Sequence, residues 1–209
     1  GACVCQNVVD EAGRACHPYV IHTLGNGLRV GIVGIVTDYV NVWERKENLA
    51  GICITDPFEA AKEALLHLKK EVDITLCIYH GGFECDLKTG ERLQKTTENV
   101  GYRICKELDF DILLTGHQHQ AKAGLQLFGT YACQSPDRCR QYVRMDAEVS
   151  ADGDVTAHSR LNPESPMNVW RHFWRRWMRR MLFFWISPLE SWISRCCPEI
   201  IWRWRKTAP

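Results

Sequence analysis

The chain of 209 residues carries 11 cysteines but no Cys-x-x-Cys pair, which excludes a zinc ribbon at once. The cysteine count is odd and the residues are scattered, a poor basis for a disulfide framework. Cys53 and Cys77 sit inside apolar runs, where free cysteine behaves as a small hydrophobe. That usage points to a reducing compartment. No uninterrupted apolar stretch approaches the ~18–20 residues of a membrane span. The chain opens on Gly1 with no basic, apolar, small-residue leader, so location stays open, with the cysteines favouring the cytoplasm. Internal repeats are absent, and of 8 tryptophans only Trp43 precedes residue 167.

Charge is unevenly spread. The net value of +1 conceals 17 Lys+Arg against 23 Asp+Glu in residues 1–166, and 9 against 2 in residues 167–209. Two compositions are joined here, which divides the chain into a domain at 1–166 and a Trp/Arg-rich tail at 167–209.

Within the first part, Val4 to Val9 and Tyr19 to Leu24 read as strands around the turn Glu11-Ala12-Gly13-Arg14. Gly25-Asn26-Gly27 is a hairpin-type turn into the run from Leu28 to Thr37. That run is β-branched and almost wholly apolar, as in a strand covered on both faces. Its Gly31 and Gly34 imply close approach of a neighbouring element. Asp56-Pro57-Phe58-Glu59 is a helix start with a capping aspartate, proline in the first turn and a capping-box glutamate. Apolar residues from Ala60 to Leu68 then recur at helical spacing to about Lys70. A buried strand follows from Asp73 to Tyr79, a second helix from Glu98 to Leu108, and a third strand from Ile112 to Thr115. This alternation is α/β. Beyond it the pattern changes to shorter strands over Gly124–Phe128, Thr130–Cys133, Gln141–Val149 and Val155–Leu161.

Two of the central strands end in turns that carry glycine and histidine: His80-Gly81-Gly82 and Gly116-His117-Gln118-His119. A His-x-His pair is a weak signal by itself. In a layered α/β fold, however, ligands bind beyond the carboxyl ends of the strands. Neighbouring strands would therefore bring His80, His117 and His119 together. Neutral imidazole nitrogen is a good donor to divalent metals, so the triad is a candidate metal site.

These stretches resemble the calcineurin-like metallophosphoesterases, in particular the bacterial 5′-nucleotidase and 2′,3′-cyclic-nucleotide phosphodiesterase branch. The likeness is carried by Asn7-Val8-Val9-Asp10, Pro18-Tyr19-Val20-Ile21, Val30-Gly31-Ile32-Val33-Gly34 and Asn48-Leu49-Ala50-Gly51. The two histidine turns, Tyr79-His80-Gly81-Gly82-Phe83-Glu84 and Leu114-Thr115-Gly116-His117-Gln118-His119, carry it most specifically, and Gln134-Ser135-Pro136 matches a Gln-Pro-containing turn. The resemblance covers residues from about 4 to 165. It implies a mixed α/β (α+β) fold, the C-terminal part of a four-layer αββα sandwich with metal at the strand ends. His80 and His117 would bind one metal and His119 the other, the two ions being of Mn, Zn, Fe or Co type. The implied substrate is a nucleotide or another phosphoester, and the family is often periplasmic or secreted.

Residues 1–79 depart from the family pattern. They contain no Asp-x-His, no bridging-aspartate motif and no Gly-Asn-His-Glu. Those motifs supply the remaining metal ligands and the histidine that acts on the substrate, so no catalytic residue is expected in this chain. It reads as part of a hydrolase, inactive by itself. Asp86, Glu91 and Glu98 follow His80 and could act near the site, with solvated loop residues the favoured reading; Arg138 and Arg140 could face phosphate but read first as surface groups; Trp43 resembles a family Trp-Glu position and reads as packing rather than substrate stacking.

The tail supports three readings. Trp170, Trp174, Trp177, Met181 and Phe184 follow helical spacing with arginines opposite, as in a helix lying on an anionic membrane. Interleaved Trp and Arg also suit single-stranded nucleic acid. The third reading comes from the genetic code: joining the last base of each codon to the first two of the next turns Phe173-Trp174 into Leu. The same shift gives Asp at Trp177-Met178 and at Trp192-Ile193, and Leu at Cys196-Cys197. The shifted text is acidic and Leu/Ala-rich with no forced stop, so a frameshift near Pro166–Met167 is the favoured explanation. The competing class for the whole chain is a non-catalytic metal-binding module attached to membrane or nucleic acid by its basic tail.

Overall fold

The run of valines, isoleucines and glycines at Arg29–Val36 forms strand β4, and everything that positions the histidines is built around it. A computed structural model describes residues 3–137 and 141–162, and the backbone alone of 200–206. The chain enters through β1 (Cys5–Asp10), β2 (Ala15–His17) and β3 (Tyr19–Thr23). After β4 come a single-turn helix α1 (Val40–Trp43), the short strand β5 (Ile52–Ile54), helix α2 (Pro57–Leu68) and strand β6 (Ile74–His80). Helix α3 (Gly101–Glu107) leads to β7 (Ile112–Thr115), β8 (Lys122–Leu127), β9 (Thr130–Gln134), β10 (Tyr142–Val149) and β11 (Val155–Asn162). A last strand, β12 (Ile200–Lys206), closes the sequence of elements.

The main sheet has six strands in the order β3-β4-β6-β7-β9-β8. Its four middle strands run parallel, with Val36 opposite His80 and Tyr79 opposite Thr115. The α/β alternation expected from the sequence is therefore present, and it sends β4, β6 and β7 out at the same edge. The period of two along β6 divides its side chains between two cores. Cys77 and Tyr79 face α2 and α3, while Ile74 and Leu76 face a second sheet in the order β11-β10-β12. Helix, sheet and sheet thus form three layers. Glu148, Thr156 and His158 are exposed on the outer face of the second sheet, and no helix among the described residues covers them. A small sheet, β2-β1-β5, packs beside the end of β4.

Local sequence accounts for the main joints. Asp56 caps α2 by accepting from the amides of Phe58 and Glu59 at 2.7 and 3.1 Å, with proline in the first turn. The close approaches predicted from the β4 glycines are real. A Cβ at Gly31 would lie 2.7 Å from Leu68 of α2, and one at Gly34 would overlap the backbone carbonyl of Val4. Asn7 is fully buried, and its amide bonds the backbone of Val36 in both directions and the carbonyl of Thr55. That side chain ties the small sheet to the end of β4.

The structure shifts one expected helix and adds two elements that the sequence did not reveal. Helix α3 begins at Gly101, not at Glu98, because Glu98 and Asn99 make their bonds to the strand ends instead. Trp43 ends a helical turn that periodicity did not reveal. Residues 200–206 of the tail form a strand parallel to β10, with Val143 opposite Ile200 and Val149 opposite Lys206. The amphipathic helix expected between Trp170 and Phe184 lies outside the described residues, as do Arg138 and Arg140.

Candidate metal centre

Strand order places the histidines. His80 is the last residue of β6, and His117 follows β7 by two residues, so adjacent parallel strands deliver both rings to one edge. Their centroids are 5.4 Å apart, edge to face at 62°. His117 and His119 both adopt positive φ, at 66° and 57°. Non-glycine residues in this region carry backbone strain, and here two occur within three residues. Surrounding bonds hold that conformation. The amide of Gly116 donates to the carbonyl of Gly81 at 3.0 Å, and the amide of Gln118 donates to the carbonyl of Gly116 at 2.7 Å.

Two glutamines pin the turn. The side chain of Gln118 accepts from the amide of Phe83 and donates to its carbonyl, each at 2.9 Å, which fastens the second histidine turn to the first. Gly82 is required at this junction, since a Cβ there would overlap the Gln118 amide. Gln134, fully buried at the end of β9, donates to Thr115 Oγ1 and accepts from the amide of Gln120, both at 3.0 Å. The turn from Gly116 to His119 is thereby held at both ends.

The electrostatics suit a cation. His80 has a pKa lowered to about 4, first by burial and then by the neighbouring His117 and His119. It is neutral at physiological pH, the form that binds metal. His119 is exposed, and it belongs to the group through its electrostatic effect on His80. Among the described residues no three donors already stand at ligating separations. The residue types fit divalent metal, and His80 with His117 are the pair brought together.

Two residues read as bland in the sequence prove to be at the centre. Glu98 Oε1 lies 2.6 Å from His117 Nε2, with the two side chains about a quarter and a fifth exposed. Trp43 stacks on the His117 ring at 5.2 Å and 30°, and Tyr39 meets Trp43 edge-on at 5.8 Å. Neither was found by periodicity, because both reach the site from segments without regular spacing. By contrast, Asp86 closes its own turn by accepting from the amides of Lys88 and Thr89. Glu91 supplies a backbone carbonyl to the amide of Asp86 in the same hairpin.

Comparison with known proteins finds phosphoesterases and 5′-nucleotidases among those similar in sequence and fold. An uncharacterised metallophosphoesterase of Bacillus subtilis (strain 168), YunD, is 24% identical over 143 residues, covering 67% of this chain and 27% of its own length. A Staphylococcus aureus protein described as a 5′-nucleotidase superposes with a TM-score of 0.68 at 26% identity, over 77% of this chain and 32% of that one. The calcineurin-like phosphoesterase YfkN of Bacillus subtilis gives a TM-score of 0.61 at 20% identity, over 78% and 55% respectively. No family model matches. The fold is that of the calcineurin-like phosphoesterase YfkN and of the S. aureus protein, and in sequence the chain is similar to the metallophosphoesterase YunD. It spans about a quarter to a third of the length of YunD and the S. aureus protein.

Proposed function

We propose that this chain supplies the His80, His117 and His119 part of a metal-dependent phosphoesterase site acting on nucleotides. The observation that carries the proposal is the delivery of His80 and His117 to one edge by adjacent parallel strands, 5.4 Å apart. The S. aureus relative, described as a 5′-nucleotidase, supports the substrate class. His80 and His117 would hold one divalent ion and His119 would face a second. Metal bound there would polarise a phosphoryl oxygen and lower the pKa of coordinated water. The chain's own residues fix the imidazoles, through Gln118 and Gln134, and keep His80 unprotonated.

The carboxylate motifs absent from residues 1–79 support a second element of the proposal: the chain binds metal but does not turn over substrate by itself. The Trp/Arg composition of 167–209 supports a shifted reading frame from about Pro166. Phosphate release from 5′-AMP and 2′,3′-cyclic AMP with Mn, Zn or Co tests the catalytic part. No release above buffer is expected from the purified 209-residue chain. Metal-dependent release that disappears in His117→Ala would contradict it.

A further inference from the structure

Glu98 occupies a place that the histidine motifs do not explain. It lies 18 residues beyond His80 in a segment without regular structure, yet it is held firmly. Its carbonyl accepts from Thr37 Oγ1 at 2.7 Å and from the Tyr79 hydroxyl at 3.2 Å, linking it to the ends of β4 and β6. The next residue, Asn99, is buried and accepts from the amide of Gly82 at 2.5 Å. With its backbone fixed in this way, Glu98 sends its carboxylate to His117 Nε2 at 2.6 Å. The His117 ring is further confined by Trp43 against its face and by His80 at 5.4 Å.

We propose that Glu98 is the positioning carboxylate of the site, locking His117 in the tautomer that keeps Nε2 protonated and offers Nδ1 to a divalent cation. The inference rests on the metal-site reading above. A carboxylate oxygen facing Nε2 acts as the acceptor, so of the two imidazole tautomers this contact favours the one with its proton on Nε2. The lone pair is then on Nδ1. Metal-binding histidines characteristically give their second nitrogen to such a partner, which fixes the ring and raises its basicity. Partial burial makes this hydrogen bond stronger than it would be at an exposed site, because less water competes for either group.

The test uses the full chain with 15N-labelled histidine. Long-range 1H–15N spectra of the wild type are expected to show His117 as a single tautomer protonated at Nε2. Glu98→Gln preserves shape, but its amide both donates and accepts, so the lock is released and the two tautomers mix. Glu98→Ala removes the partner altogether and gives the same mixing. Calorimetric titration with Zn or Co should show about 10–100-fold weaker binding in Glu98→Gln, the usual cost of losing such a partner. His80→Ala should lose metal binding while the His117 tautomer stays fixed. An unchanged tautomer in both Glu98 variants, with the amide spectrum intact, would overturn the proposal, as would metal affinity equal to wild type. A wild type that binds no metal, yet shows a Glu98-dependent tautomer, would overturn the metal-site reading and uphold the lock.

Discussion

The side-chain amide of Gln118 and the backbone of Phe83 form a reciprocal pair of hydrogen bonds, both 2.9 Å, that joins the two histidine turns. The pair makes one rigid unit of two loops that lie 35 residues apart in sequence. Replacing Gln118 with alanine removes both bonds and strands two backbone groups in a half-buried position. The expected loss is about 1–3 kcal/mol of stability, readable in a denaturant titration. Metal affinity should fall with it, since the Gly116–His119 turn loses its anchor to His80. Wild-type affinity in Gln118→Ala would show that the turn is held without this clamp.

Acid should weaken the fold through His80. Its folded pKa of about 4 lies below the value near 6.5 expected when unfolded. Between those limits the unfolded chain binds more protons than the folded one, so stability falls as pH drops from about 6.5 towards 4. The full effect of one such group is at most about 3–4 kcal/mol. Denaturation in a chelating buffer should show a steeper pH slope in wild type than in His80→Gln. Parallel slopes would mean that His80 is solvated in the folded chain.

Gly34 is a close-packing position rather than a flexible one. A side chain there would meet the Val4 carbonyl and push the small sheet off β4. Gly34→Ala should cost about 1–3 kcal/mol, as overpacked sites do. Thermal unfolding measures it, and a variant as stable as wild type would place the β1 segment elsewhere.

The sequence exposed those parts of the molecule that obey a period. The continuous apolar run of β4, the Asp56-Pro57 cap and the helical spacing from Ala60 to Leu68 all became the elements expected. Strand ends with glycine and histidine implied that His80 and His117 meet at one edge of the sheet, and their rings do lie together there. Glu98 and Trp43 were hidden because their roles depend on tertiary neighbours. Glu98 looks like the start of a helix by spacing, but its bonds to Thr37, Tyr79 and His117 outcompete one more helical turn. Trp43 looks like packing until Tyr39 and His117 are placed on either side of it. Gln118 was invisible for another reason: between two histidines it reads as a spacer, and only the Phe83 backbone reveals its task. Gln134 was seen as part of a turn, and its burial against Thr115 shows why that position suits a long amide.

The central claim is that His80 and His117 form a divalent-metal site at the ends of β6 and β7. The direct measurement is a Co(II) titration of the purified chain, followed by calorimetry and visible absorption. Saturable binding through nitrogen and oxygen donors is expected, lost in His80→Ala and in His117→Ala while the fold is retained. Binding that is absent, that survives both substitutions, or that shows the thiolate-to-cobalt absorption of cysteine ligands would contradict it.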